Sequence, residues 1–131
     1  MQNSASSQLT LEIVNLTRSP APNLPYEKVA RAILPAGYDL SIAIIGRRRS
    51  LNLNKKYRNK DKPGNVLSFE TDKNSGEIFL TPSLIKRGDE LFMFIHGLLH
   101  LALLDHGPIM EAKEQEMLSK FKRGKTNHNR S

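Results

Sequence analysis

The stretch Phe92–Gly107, "FMFIHGLLHLALLDHG", places three histidines in an otherwise apolar run. A buried imidazole needs partners for both ring nitrogens, so something must compensate them. His96 and His100 are four residues apart and share one face of a helix, with Cβ atoms about 5–6 Å apart. That lets one nitrogen from each ring reach a single metal ion at about 2.0–2.1 Å. His106 lies six residues further on and can join them only if the helix ends near Leu104 and the chain turns back. The spacing reads as a facial tri-histidine site with a position open to water. The alternative is three unrelated histidines, each needing its own buried partner.

Zinc suits three imidazoles and an exchangeable water, while nickel, cobalt and iron share the ligand type. The same spacing occurs in metallopeptidases that carry a glutamate directly after the first histidine as general base. That position is Gly97 here, so the peptidase reading lacks its base. A glycine inside a helix costs about 1 kcal/mol relative to alanine. Gly97 is expected to let substrate or another backbone approach closely.

Outward from this stretch, "LTLEIVNL" (9–16) alternates Leu9, Leu11 and Ile13 as a first strand. Pro25 opens a helix over "YEKVARAIL" (26–34), and "YDLSIAIIG" (38–46) is a second strand with Tyr38, Leu40, Ile42 and Ile44 on one side. A helix over about 48–57 takes Leu51 and Leu53 as its apolar contribution. Strands at 65–70 and 77–81 flank a turn at 72–76. Pro82 opens a helical turn to Lys86, and Gly88 and Asp89 look like the cap of the histidine helix. That helix is apolar nearly all round and should be central and buried. Pro108 starts a last helix whose acids lie early and bases late, as the dipole prefers. The organisation expected is one domain over 1–123 and a disordered basic tail over 124–131, where His128 is idle.

The chain has 131 residues, no cysteine and a net charge of +7. Disulfides are therefore excluded, and a metal must be held by His, Asp or Glu. The start "MQNSASSQLTLEIVN" has no basic opening or apolar run, and the apolar stretch Leu91–Leu104 is too short to span a bilayer. A soluble cytoplasmic protein without membrane association is the expectation. Between Arg47 and Lys62 the chain holds eight basic residues and one acid, so the whole excess charge falls in that window. Arg47, Arg48, Arg49, Lys55, Lys56, Lys60 and Lys62, interleaved with Asn and Tyr57, fit a polyphosphate partner. A merely solvated helix face is the other reading. Three arginines in a helix's first turn oppose its dipole, and a phosphate there would reverse the sign.

"HGLLHLALLDH" (96–106) resembles the His-Gly-x-Leu-His-Leu-x-Gly-x-Asp-His signature of the YbeY family of metal-dependent endoribonucleases. "LNLNKKYRNKDKPGNVLSFE" (51–70) is similar to that family's second block, and "SGEIFLT" (75–81) to its Gly-Asp-Ile strand. The resemblance implies a mixed α/β (α+β) fold, with a small four-stranded sheet packed by helices around a central metal-binding helix. It implies zinc on His96, His100 and His106, and Arg58 as the functional arginine beside the metal. It also implies cleavage of RNA in 16S rRNA 3′-end processing and ribosome quality control, with an rRNA precursor as substrate and the small ribosomal subunit or its assembly proteins as partners. Leu103, Gly64, Glu70 and Glu77 stand where the family carries Gly, Thr, Pro and Asp. With a leucine at 103, the turn after His100 is expected to shift toward Leu104 and Asp105. Asp105 would either orient a histidine or accept a proton, or else serve the turn. Two other functions remain compatible with these residues: a non-catalytic RNA-binding assembly factor with a structural metal, and a zinc hydrolase of a peptide or small substrate.

Overall fold

The computed structural model describes residues 8–102 and 107–130, with side chains up to Lys122. Four strands, β1 (Thr10–Asn15), β2 (Asp39–Ile44), β3 (Val66–Asp72) and β4 (Ser75–Leu80), form one sheet in the order β1-β2-β4-β3. β2 pairs in parallel with β1 and β4, while β3 runs antiparallel to β4 at the edge. The helices are α1 (Tyr26–Ile33), α2 (Arg47–Arg58), α3 (Glu90–Leu101) and α4 (Pro108–Arg130), with a 3₁₀ turn over Pro82–Leu84. This is the mixed α+β fold that the sequence implies. No helix among the described residues is long and apolar enough to cross a membrane.

Alternation along β2 sends Leu40, Ile42 and Ile44 to one face, where Ile78 and Leu80 of β4 join them, all fully buried. α3 packs on that face with Phe94, Ile95, Leu98, Leu99 and Leu101, and Val29 of α1 and Met110 and Met117 of α4 close the cluster. The histidine helix is thus the centre of the core. α2 meets the opposite face, where Tyr57 packs edge-on against Phe69 of β3.

Several local expectations change. β1 is an edge strand, so Ile13 stays 41% exposed although it points the same way as its buried partner Ile42. The buried residues of α2 are Ser50 and Asn54, not leucines. Ser50 Oγ donates to Gly64 O at 2.6 Å and accepts from Gly64 N at 2.8 Å, and Asn54 Nδ2 donates to Lys62 O at 2.8 Å. α2 therefore buries polar groups because it holds the following loop by hydrogen bonds. The hairpin turns at Lys73 and Asn74, and Gly76 lies inside β4, where a Cβ would come within 2.6 Å of the Tyr38 hydroxyl. Asp89 is the N-cap of α3 without a side-chain cap bond; Glu90 accepts from Gly88 N instead, at 2.9 Å. The α4 backbone stays helical to Arg130, past Gly124 where the sequence reads as tail, because extending a formed helix costs far less than starting one.

Candidate functional site

Gly97 sets the distance between α3 and β3. A Cβ there would lie 3.0 Å from both Ser68 Oγ and Val66 Cγ2, and Ser68 Oγ donates to Gly97 O at 2.9 Å. The close approach that the sequence anticipates at this glycine is therefore that of β3. It brings His96 and His100 to the wall formed by Ser68.

The two histidines converge through the same ring atom. His96 Nε2 and His100 Nε2 are 3.0 Å apart, with the rings nearly perpendicular and their centroids at 4.5 Å. Two ring nitrogens at this distance share either one proton or one cation. Nδ1 of His96 meets the carboxylate of Glu114 on α4, whose side chain is only 8% exposed. A carboxylate accepts, so Nδ1 donates, and Nε2 is left with its lone pair directed at His100. A carboxylate behind the imidazole is the arrangement that fixes the tautomer of a metal-binding histidine. The donor set and its orientation fit a divalent transition metal.

Arg58 ends α2 beside these rings. Asn59 takes the left-handed conformation at the helix C-cap, with φ 56°, and turns the chain there. Arg58 Nη2 donates to Ser68 O at 2.9 Å, and its guanidinium lies 5.2 Å from the Phe69 ring centroid. Anchoring one N–H of the fork leaves others for a phosphate. A cavity of about 380 Å³ is lined by Arg58, Ser68, Glu70, Met93, His96 and His100. A second, of about 480 Å³, continues from it past Arg58 and Asn65 and is lined by Arg47, Lys60 and Lys62. Buried Tyr38 lies near Glu70: burial pushes its hydroxyl above the usual tyrosine range, and the Glu70 carboxylate adds to the shift.

The structure thus brings together His96, His100, Arg58, Arg47, Lys60 and Lys62. Arg49, Lys55 and Lys56 do not line this double cleft: Lys55 pairs with Asp61 at 3.4 Å and Lys56 lies over Tyr57. Arg48 borders a separate recess with Arg47, Leu51 and Asn52. A helix shows only one face to a groove, so a basic window read along the chain overcounts its lining. The third expected ligand His106, together with Leu103, Leu104 and Asp105, lies outside the described residues, and so does the turn expected there. The described residues by themselves assemble no group of three His, Cys, Asp or Glu around a common point. α3 ends at Leu101, earlier than expected, with Ala102 as its C-cap.

Glu114 and Glu70 are the two site residues that sequence reasoning misses. Glu114 carries a signal: it sits four residues after Met110 and three before Met117, a lone carboxylate on a buried helical stripe. Glu70 carries none beyond its difference from the family pattern.

A mixed sheet whose central helix carries two convergent histidines beneath an arginine defines an α+β domain with a polar cleft suited to a metal and an anion. The chain belongs to the Endoribonuclease YbeY family, whose model matches residues 21–124. It is 36% identical to Endoribonuclease YbeY of Rubrobacter xylanophilus, over 84% of this chain and 90% of that protein. To the protein of the same name from Francisella philomiragia it is 29% identical, over 84% and 86% of the two chains. The solution structure of TM1509 from Thermotoga maritima shares the fold, with a TM-score of 0.60 and 20% identity over 92% of this chain and 93% of that one.

Proposed function

We propose that this chain is a zinc-dependent endoribonuclease. It cleaves single-stranded RNA in the cytoplasm, acting in 16S rRNA 3′-end maturation and ribosome quality control beside the small subunit or its assembly proteins. The observation that carries this reading is the pair of Nε2 atoms 3.0 Å apart in a cavity that Arg58 also lines. Family membership and the name shared by its relatives support it.

His96, His100 and His106 would hold the metal, and Glu114 keeps His96 in the tautomer that binds it. When bound, zinc polarises a phosphoryl oxygen and lowers the pKa of a coordinated water toward about 7. Arg58 binds the scissile phosphate and stabilises the charge that grows on it. Arg47, Lys60 and Lys62 follow the backbone on one side. Glu70 supplies the cavity with a carboxylate able to take a proton.

Cleavage of an unstructured RNA by wild type, Arg58→Lys and Arg58→Ala tests the reading. Arg58→Ala should slow single-turnover cleavage by about a hundredfold, the usual cost of losing one such donor, with Arg58→Lys only partly restored. RNA binding without any cleavage by the zinc-loaded wild type would instead favour a non-catalytic assembly factor.

A further inference from the structure

On the far face of edge strand β3 lies a recess of about 460 Å³ with no assigned role. Tyr57 is 60% exposed, yet its ring has a defined seat. It packs edge-on against Phe69, with centroids 5.6 Å apart, and Phe69 packs likewise on Phe79 at 5.8 Å. Three elements, α2, β3 and β4, thus hold one aromatic surface open to solvent, with Leu53 beside it. A fixed ring exposes a π-face at little entropic cost, which is what stacking on an unpaired base requires.

The charges divide the two faces by chemistry. The cleft is lined by Arg47, Arg58, Lys60 and Lys62, whereas the recess is lined by the carboxylates of Glu70 and Glu77, and the cations near it lie over its rings, Lys56 over Tyr57 and Arg58 over Phe69. Carboxylates repel a phosphate but accept from the N–H groups of a base edge. The two sites are also continuous. Glu70 lines both, and Arg58, which reaches Ser68 O, directly follows Tyr57. A strand with its phosphate on Arg58 can therefore lay a neighbouring base across the edge of β3 onto Tyr57.

We propose that this recess is a nucleobase subsite, resting on the reading of the chain as an endoribonuclease. It takes one unpaired base of the RNA, stacked on Tyr57, with Glu77 accepting from the base edge. Guanine fits best, because N1–H and N2–H present two adjacent donors to one carboxylate. Uracil fits worst, because carbonyls flank its single N3–H.

The test is anisotropy of zinc-loaded protein with three labelled short RNAs: oligouridylate, the same with one guanine, and the same with that base removed. Wild type should prefer the guanine-bearing strand over the abasic one by about tenfold. Tyr57→Ala should abolish that preference while binding the abasic strand as wild type does, and Tyr57→Phe should keep it. Glu77→Ala should equalise guanine and uracil, and it decides alone if Tyr57→Ala proves unstable. An undiminished guanine preference in Tyr57→Ala, or in Glu77→Ala, overturns the subsite but leaves RNA binding intact, and the recess then suits a protein side chain better. Failure of wild type to bind any of the three strands sinks the endoribonuclease reading, and the subsite with it.

Discussion

Glu114 of α4 reaches the Nδ1 atom of His96 on α3, and through it the last helix braces the histidine pair from behind. Removing the carboxylate should leave the imidazole free to rotate and to change tautomer. Glu114→Ala should bind zinc about 10–100-fold more weakly in a chelator competition, with Glu114→Gln in between because it keeps an acceptor. Unchanged affinity in both variants would show that the carboxylate only fills space.

Gly97 lies where α3 touches Val66 and Ser68. Alanine gains about 1 kcal/mol of helix propensity there, but overpacking costs about 1–3 kcal/mol, and Val66 is stiff at χ1. Gly97→Ala should therefore melt at a lower temperature, by about 1 kcal/mol of net stability, and should cleave more slowly as Ser68 is pushed from the cleft. A higher melting temperature would mean that β3 gives way freely.

The basic window should divide by geometry. Neutralising Arg47, Lys60 and Lys62, which line the cleft, should flatten the salt dependence of RNA binding, by about 0.7 in log–log slope for each phosphate left without its cation. Neutralising Arg49, Lys55 and Lys56 should change it much less. Equal slopes for the two triple variants would return the window to a solvated surface.

Alkaline pH should loosen the core at Tyr26. Its hydroxyl donates to Pro22 O at 2.6 Å, its ring packs edge-on against Phe94, and burial pushes its pKa up to about 12. The unfolded chain releases this proton near its ordinary value of about 10, so above that pH the native state binds more protons and stability falls as pH rises. Stability curves of wild type and Tyr26→Phe should therefore diverge between about pH 10 and 12, with the phenylalanine variant the flatter.

Strong periodicity is legible in the sequence, and partnership across elements is not. Leu40, Ile42 and Ile44 alternate in β2, and α3 is apolar all round; both are buried as their patterns require. The four-residue spacing of His96 and His100 foretells a shared face, and the two rings do converge. Ser50 and Asn54 escape notice because polar residues in a helix read as solvent-facing until the loop they bind is in place. Glu114 shows only as a lone carboxylate on the Met110–Met117 stripe, and its partner cannot be read from that stripe because it lies eighteen residues upstream on another helix. Ile13 alternates correctly but sits on an edge, and strand order cannot be read from alternation alone.

Cleavage of a single-stranded RNA before and after removal of metal tests the central claim most directly. Chelator-stripped protein should lose cleavage and regain it on adding about one equivalent of zinc per chain. The His96→Ala/His100→Ala variant, folded by circular dichroism, should not regain it at that concentration. Stripped protein that cleaves at the undiminished rate would contradict the account.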